Sequence, residues 1–526
     1  MVETQVVIVG GGVTGAGLAR DLALRGVSCV VVEKKDLTAG ASGANHGLLH
    51  GGGRYVGNDP EAAGECAQES ALLKRLAPQC IEDTGSLYVA VAGDDENYIA
   101  DFPTLCQRCH VPAEPVETAQ ALEMEPALSD QVIAAYALQD AAVDPFGLTL
   151  DNMAQACALG ARLMTHTRLE SLERDNGRIV RVRVRHTRTG RETVLEPQVV
   201  VNAAGAWAGQ VGALAGIRFD MVYSKGSLVV SQERVSDRVI HRLRPASDAD
   251  IVVPGGTVSI LGTTSVRVAS PDTIYPEIHE IDTIIDECAR MMPSLASARY
   301  IRAYCGVRPL LAEGSRRGDR TVSRGYHLIN HQACGVGNFL TITGGKLTTY
   351  RLMAEKTADR VCELLGVREP CRTHVEPLPP SEWGRWTEPG KAPRQWVKRS
   401  DPSDWILCEC EMVPRTTVEE LVDQIRREGE APTLEAVGMR SRVGKGPCQG
   451  NFCSQRIAAH LYQAGVYQGR EGMASLVGVL RERWRGKRPL LWGQPMVQYE
   501  FQEALYCALF SLDLETRGRD VQEAGA

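Results

Sequence analysis

Three hydrophobic patterns follow one another at the start of the chain. Val6 to Val9 form an apolar run, Thr14 to Leu24 place apolar residues at helical spacing, and Ser28 to Val32 turn apolar again. They predict strand, helix and strand, joined through a glycine turn into a βαβ unit. Further on, RIVRVRVRH alternates charged and apolar residues at period two, and ETVLEPQVVVN follows a Thr189-Gly190 turn. This predicts a hairpin arm that returns to the first domain as a buried strand, Val199 to Val201. KGSLVVS and DIVVPGGTVSILGTTSVR set short apolar strands between turns and predict an antiparallel sheet. FLTITGGKLTTYRLMAEKTADRV reads as strand, Gly344-Gly345 turn and helix.

Gly10, Gly12 and Gly15 of the first turn form GxGxxG, and Glu33 ends the following strand. The first glycine allows the tight turn, the second admits a pyrophosphate, and the third lets helix pack on strand. Glu33 is placed to accept the hydroxyl protons of an adenosine ribose. The next segment, GASGANHGLLHGGGRYV, is polar and glycine-rich where a nicotinamide enzyme continues its doubly wound sheet. FAD is therefore the better reading, with the predicted sheet covering it and a second helix N-terminus, after Gly344-Gly345, facing the flavin's pyrimidine end.

A chain of 526 residues, 44 % hydrophobic and 23 % charged, has material for several soluble domains. Its net charge of −7 speaks against nucleic acid as a partner. The start lacks the pattern of a leader, and no stretch is apolar enough to span a membrane, so a cytoplasmic protein is expected. Residues 377–407 concentrate proline with Trp383, Trp386, Trp396 and Trp405, as in a linker packed on a surface. There is no internal repeat and no low-complexity tract.

After that linker come Cys408-x-Cys410 and, after 37 intervening residues, Cys448-x4-Cys453 among glycines. Zinc ribbons favour CxxC pairs, whereas four thiolates beside an upstream flavin suit a [2Fe–2S] cluster. Zinc and unligated core thiols are the alternatives. Gly446 and Gly450 would let backbone approach the cluster.

CEC followed by VGKGPCQGNFC resembles the bacterioferritin-associated ferredoxin-like [2Fe–2S] domains over residues 405–460. Residues 1–370 resemble the FAD-dependent glycerol-3-phosphate dehydrogenases through GGGVTGAG, LLHGGGRYV, DPFGLT, NAAGAWA, KGSLVV, GTTS, GVRPL and GGKLTTYR. Together the two parts resemble the catalytic subunits of anaerobic glycerol-3-phosphate dehydrogenases. The resemblance implies an α/β fold: an FAD-binding Rossmann-like domain interleaved with an antiparallel-sheet substrate domain in 1–370. A linker (371–404), the small iron–sulfur domain (405–460) and a helical C-terminal tail (461–526) follow.

The same resemblance implies FAD contacts at Gly10, Gly12, Thr14, Gly15, Glu33, Ala41, Ser42, Gly205, Gly344, Gly345, Lys346 and Leu347. It implies cluster ligation by Cys408, Cys410, Cys448 and Cys453. Substrate would meet Arg54, Tyr55, Thr264, Arg308 and Lys346, with His50 and Arg308 catalytic. Two guanidinium forks, an ammonium and a phenol are what a phosphate dianion needs. Ion-paired loop arginines are the plain alternative for Arg54 and Arg308. Lys346 is read as standing directly before a helix's first turn, a position that a nearby anion would explain. His50 is the candidate base for hydride transfer from glycerol 3-phosphate to FAD, or else a hydrogen-bonding spacer. Related aerobic enzymes have KGSH and GTTD where this chain has Lys225 to Leu228 and Gly262 to Ser265, so their histidine is absent here.

Electrons are expected to leave through the cluster to partner subunits of a membrane-associated complex, with quinone as final acceptor. The chain would then sit peripherally at the inner face of the cell membrane. An amine or opine dehydrogenase with the same cluster domain is the alternative enzyme, and GVRPL with GGKLTTYR counts against it. An electron conduit or scaffold without catalysis is the third reading. The tail offers Trp484, Trp492, Tyr499, Phe501, Tyr506 and Phe510 behind basic residues, for docking a partner or for packing on its own core.

Overall fold

A computed structural model describes residues 2–311 and 325–512; residues 513–526 of the expected tail lie outside the described residues. In its first sheet, parallel strands run in the order Arg162–Met164, Cys29–Val32, Val2–Val9, Glu192–Asn202 and Phe339–Gly344. Their side chains alternate between two cores. Val6, Ile8, Val31, Val199 and Val201 face helices Val13–Leu24, Pro145–Ala158 and Tyr350–Leu365. Val7, Val9, Val30 and Val200 face Val182, Val184 and Phe339. Strands buried on both sides this way read as continuous apolar runs.

The period-two segment forms the antiparallel pair Thr167–Asp175 and Arg178–His186, and the latter pairs with Glu192–Asn202. Arg181, Arg183 and Arg185 stand on the solvent face, paired with Glu196, Glu173 and Glu192. Glu192–Asn202 then re-enters the first sheet beside Val2–Val9.

The second sheet has nine strands among the described residues and is antiparallel at every pairing but one. Val239–Arg242 lies parallel to Ser86–Val91, which corrects the purely antiparallel expectation. That pair joins two segments of the chain far apart in sequence, so no hairpin turn dictates their direction. Tyr300–Leu311 stands at one edge of this sheet, paired along its whole length with Met221–Ser231, which pairs on its other side with Val258–Gly262 and Val266–Val268.

The cysteine-bearing segment consists of a short strand pair, Ile406–Cys408 and Val413–Pro414, with helices Arg415–Arg427, Leu434–Met439 and Cys453–Gln463 around a small core. Trp386 is buried in that core, while Trp405 is half exposed. The linker region also contains a helix, Lys391–Arg399, which the proline-rich pattern did not predict.

Helix Glu471–Lys487 wedges between this segment and the second sheet. Arg483 Nε donates to the Cys448 carbonyl at 3.3 Å, and Arg302 Nη2 on the sheet reaches Glu482 at 3.2 Å. Helix Gly493–Phe510 covers little: Tyr499 stacks on Trp484 at 4.9 Å, but Phe501 and Leu509 are exposed, as is Trp492 just before it. No helix among the described residues is long and apolar enough to cross a membrane.

Candidate functional site

A cavity of about 590 Å³ opens where the carboxyl ends of the parallel strands meet the face of the second sheet. Ligands bind at such strand ends in open α/β sheets. Gly10, Gly12, Thr14, Glu33, Ala41, Ser42, Gly205, Gly344, Gly345, Lys346 and Leu347 line it. His50, Arg54, Tyr55 and Arg308 line the same cavity, so stretches far apart in the sequence converge there.

Gly15 lies outside it, pressed against the Gly10 carbonyl. Thr264 is a correction. Its hydroxyl donates to Glu280 Oε1 at 2.6 Å and accepts the Ser227 N–H at 2.9 Å, which turns it into the sheet. The preceding Thr263 faces the cavity instead. Lys346 is a second correction. The helix begins only at Tyr350, so the glycine turn reaches the cavity and the helix's first turn does not. The ammonium lies 4.6 Å over the Tyr55 ring.

An FAD suits these residues. Helix Val13–Leu24 starts at Gly12, which offers no side-chain cap, and has no acid in its first turn; the Ser42 hydroxyl accepts the Val13 N–H at 3.0 Å, and this positive end faces the cavity, as a pyrophosphate needs. Glu33 accepts backbone N–H bonds from Gly11 and Lys35, at 2.8 and 2.9 Å, while lining the ribose end.

The cations differ in the partners they hold. Arg54 is buried and spends one nitrogen on Asp250 at 2.8 Å and another on the Ser247 carbonyl at 2.8 Å. Arg308 meets two hydroxyls, Ser224 Oγ at 3.4 Å and Thr263 Oγ1. Gly226, on the neighbouring strand, makes room for it: a Cβ there would lie 2.5 Å from Arg308 Nη2. Lys225 turns away to Glu280 and Glu277.

His50 lies 3.2 Å from the Tyr55 hydroxyl through Nε2. Burial first, and then His46, His241, Arg54 and Lys346, hold its imidazole well below the ordinary histidine range. It is therefore neutral at physiological pH and able to accept a proton.

The four cysteines come together in a second place. Cys453, at the start of its helix, hydrogen-bonds both Cys408 and Cys448, and Cys410 meets Cys448. The Cys453 thiol and backbone amides of Glu411, Gly444, Gly450 and Phe452 hold Cys408 and Cys448 below the usual thiol range. Four thiolate positions with converging N–H donors suit a [2Fe–2S] cluster. Tetrahedral zinc would need all four sulfurs about 3.8 Å apart, from its ~2.3 Å bonds. Among the described residues, no three of these thiols lie within 4.8 Å of one another. Gly446 gives the loop its close approach, since a Cβ there would collide with the Cys410 Cβ. Elsewhere Glu355, Cys371 and His374 converge within 4.8 Å, but Glu355 is paired with Arg351 and Cys371 with Asp21.

Sequence reasoning missed Asp140, Asp250, Ser224, Gly226 and Thr263 around the cavity. For Gly226 a signal was present, a glycine within a strand pattern, which often marks a close approach.

The fold and the two sites define an FAD-dependent oxidoreductase with an attached iron–sulfur domain. The FAD dependent oxidoreductase family matches residues 5–351, and the BFD-like [2Fe-2S] binding domain matches residues 406–462. The chain is 38% identical over 546 residues to the A subunit of the anaerobic glycerol-3-phosphate dehydrogenase of Escherichia coli (strain K12), covering 98% of each. It is 38% identical to the A1 subunit of the Haloferax volcanii anaerobic glycerol-3-phosphate dehydrogenase, covering 98% of this chain and 92% of that one. The chain belongs to this family of anaerobic glycerol-3-phosphate dehydrogenase A subunits. In fold it is similar to the glycerol-3-phosphate dehydrogenase of Bacillus halodurans complexed with FAD, with a TM-score of 0.64 and 21% identity over 94% of this chain and 97% of that one.

Proposed function

We propose that this chain oxidises sn-glycerol 3-phosphate to dihydroxyacetone phosphate. One observation carries the reading: Arg308 and Lys346, cations suited to a phosphate, face the same cavity as the neutral imidazole of His50. Family membership supports the same substrate.

FAD, when bound, supplies the two-electron acceptor for a hydride. Arg308 would hold the phosphate with its fork, and Lys346 with a compact charge. The Tyr55 ring under the ammonium would keep Lys346 directed into the cavity. His50 would take the hydroxyl proton at Nε2, the nitrogen on the Tyr55 side. Arg54, already neutralised by Asp250, is assigned to shaping the wall.

The cluster, when bound, supplies a one-electron carrier. We infer that electrons pass through it to partner subunits and finally to quinone, and that these partners hold the chain at the inner face of the cell membrane. Support comes from the cluster loop, where Cys410 and Phe452 are exposed, and from the uncovered aromatic and aliphatic residues of helix Gly493–Phe510.

Anaerobic mixing of the FAD-loaded protein with glycerol 3-phosphate tests the substrate assignment. Flavin absorbance should bleach, and glycerol at the same concentration should leave it unchanged. Bleaching by amino or imino acids but not by glycerol 3-phosphate would overturn the assignment.

A further inference from the structure

We propose that Asp140 is the positioning residue for His50, fixing its tautomer and stabilising the imidazolium formed when the substrate hydroxyl gives up its proton. The inference rests on the reading of His50 as base given above.

Asp140 is completely buried. Its Oδ2 accepts the Ser86 hydroxyl at 2.6 Å, and its Oδ1 accepts the Gly51 N–H at 2.8 Å. The second bond ties the carboxylate to the residue after His50, so carboxylate and imidazole share one rigid frame. His50 Nδ1 lies 4.0 Å from the same Oδ1 and is a buried nitrogen with no hydrogen-bond partner among the described residues. Its other nitrogen points to Tyr55 at the cavity. A buried donor left unmade is costly, and Asp140 Oδ1, 4.0 Å away, is the carboxylate oxygen toward which the ring would turn to make it. With Nδ1–H directed at Asp140, Nε2 is the unprotonated nitrogen on the cavity side.

A second imidazole faces the same oxygen. His241 Nε2 lies 3.8 Å from Asp140 Oδ1, and both its nitrogens are buried without hydrogen-bond partners among the described residues. It stacks on Tyr88 at 4.3 Å and does not line the cavity. Of the two imidazoles on Asp140, only His50 can touch substrate.

The other groups facing His50 are His46, His241, Arg54, Lys346 and Tyr55. The histidines and cations among them oppose a positive charge on the ring. Asp140 is the carboxylate that favours one. In the step itself the Tyr55 hydroxyl would turn away from the single lone pair of His50 Nε2, the substrate O–H bond would break, and its proton would form a bond to that nitrogen. The C2–H bond would break with its electron pair leaving as hydride, for which FAD, when bound, supplies the acceptor, and the C2–O bond would become a carbonyl.

The test is the rate of flavin reduction by glycerol 3-phosphate as a function of pH, in Asp140→Asn, His50→Gln and the double variant, each loaded with FAD. Asp140→Asn should slow reduction about 100-fold, within the range of general-base effects, with KM nearly unchanged. Its acid limb should move to lower pH, because the imidazolium loses its stabilising charge. The double variant should be no slower than His50→Gln, since the two residues act as one unit. A wild-type rate and pH profile in Asp140→Asn overturns the proposal, as does additive loss in the double variant. Should Asp140→Asn fail to fold, Ser86→Ala keeps the carboxylate but frees one oxygen; it should shift the acid limb, and an unshifted limb overturns the proposal. A wild-type rate in His50→Gln refutes the base and this inference while leaving the substrate assignment standing. Absence of reduction in the wild type refutes the substrate assignment itself.

Discussion

Arg440, fully buried in the cysteine-bearing segment, grips both carboxylate oxygens of Asp36 at 2.8 and 3.2 Å. Asp36 lies three residues beyond Glu33, on the loop that leads into the FAD cavity. A third group, Glu428, reaches the same guanidinium at 3.1 Å. The iron–sulfur segment is thus clamped to the cofactor loop by a bidentate pair shielded from water. Breaking such a pair from one side leaves uncompensated buried charge. Arg440→Ala should destabilise the docked segment by about 3–5 kcal/mol. Denaturant unfolding followed by the cluster's visible absorbance checks this. Arg440→Lys should lose less, retaining the charge but not the fork.

The same pair gives an acid dependence. Burial alone would push Asp36 up, but Arg440 beside it outweighs burial and holds it below the ordinary carboxylate value. A carboxylate depressed in the folded state adds stability above its unfolded pKa of about 3.9 and loses it as pH falls through the lower folded value. In Arg440→Ala burial is left to act on Asp36 and raises it, so the stability difference between wild type and variant should begin to shrink above about pH 3.9 and be lost as pH falls through the lower wild-type value. Paired unfolding curves across that range measure it. A difference that persists undiminished at about pH 2 would mean that Arg440 acts through packing.

The substrate side can be probed without touching a charge. In Gly226→Ala the new Cβ would fall 2.5 Å from Arg308 Nη2, so the guanidinium must move while remaining in the protein. KM for glycerol 3-phosphate should rise about tenfold with kcat little changed, the signature of lost ground-state binding. Arg308→Ala should raise KM by about two orders of magnitude, as expected for a charge-assisted bond of roughly 3 kcal/mol. If Gly226→Ala raises KM as little as a remote substitution does, Arg308 does not hold the phosphate.

The parts of this architecture that were legible in the chain are the local ones. Gly10 to Glu33 is one contiguous βαβ unit, and its glycine spacing and apolar periodicity need no distant partner to be read. The cysteine pairs are likewise a local spacing. The Arg54–Asp250 pair was not legible, because its partners lie far apart in the chain and meet only when the second sheet forms. Thr264 was misplaced for a related reason: alternation along GTTS leaves open which threonine faces the cavity, and Glu280 on a later helix decides it. Asp140 carries no motif at all. It sits in an apolar stretch, and its meaning comes from the two histidines that surround it in space.

Electron entry and electron exit lie at different places in this chain and are separable by substitution. Cys453, like Cys448, touches two other thiols, in its case Cys408 and Cys448, and it opens helix Cys453–Gln463, whose apolar side is buried in the segment's own core. Cys453→Ser keeps the size of the side chain and that helix but removes a thiolate ligand from the middle of the set. Iron content should fall, and the cluster's paramagnetic signal should disappear. Cys453 does not line the FAD cavity, so flavin reduction by glycerol 3-phosphate should stay within about twofold of wild type, as expected for a change that leaves the reacting groups in place. Transfer to quinone in membranes containing the partner subunits should be abolished. A variant that lacks iron yet reduces quinone at the wild-type rate would make the cluster structural and would place the electron exit at the flavin itself.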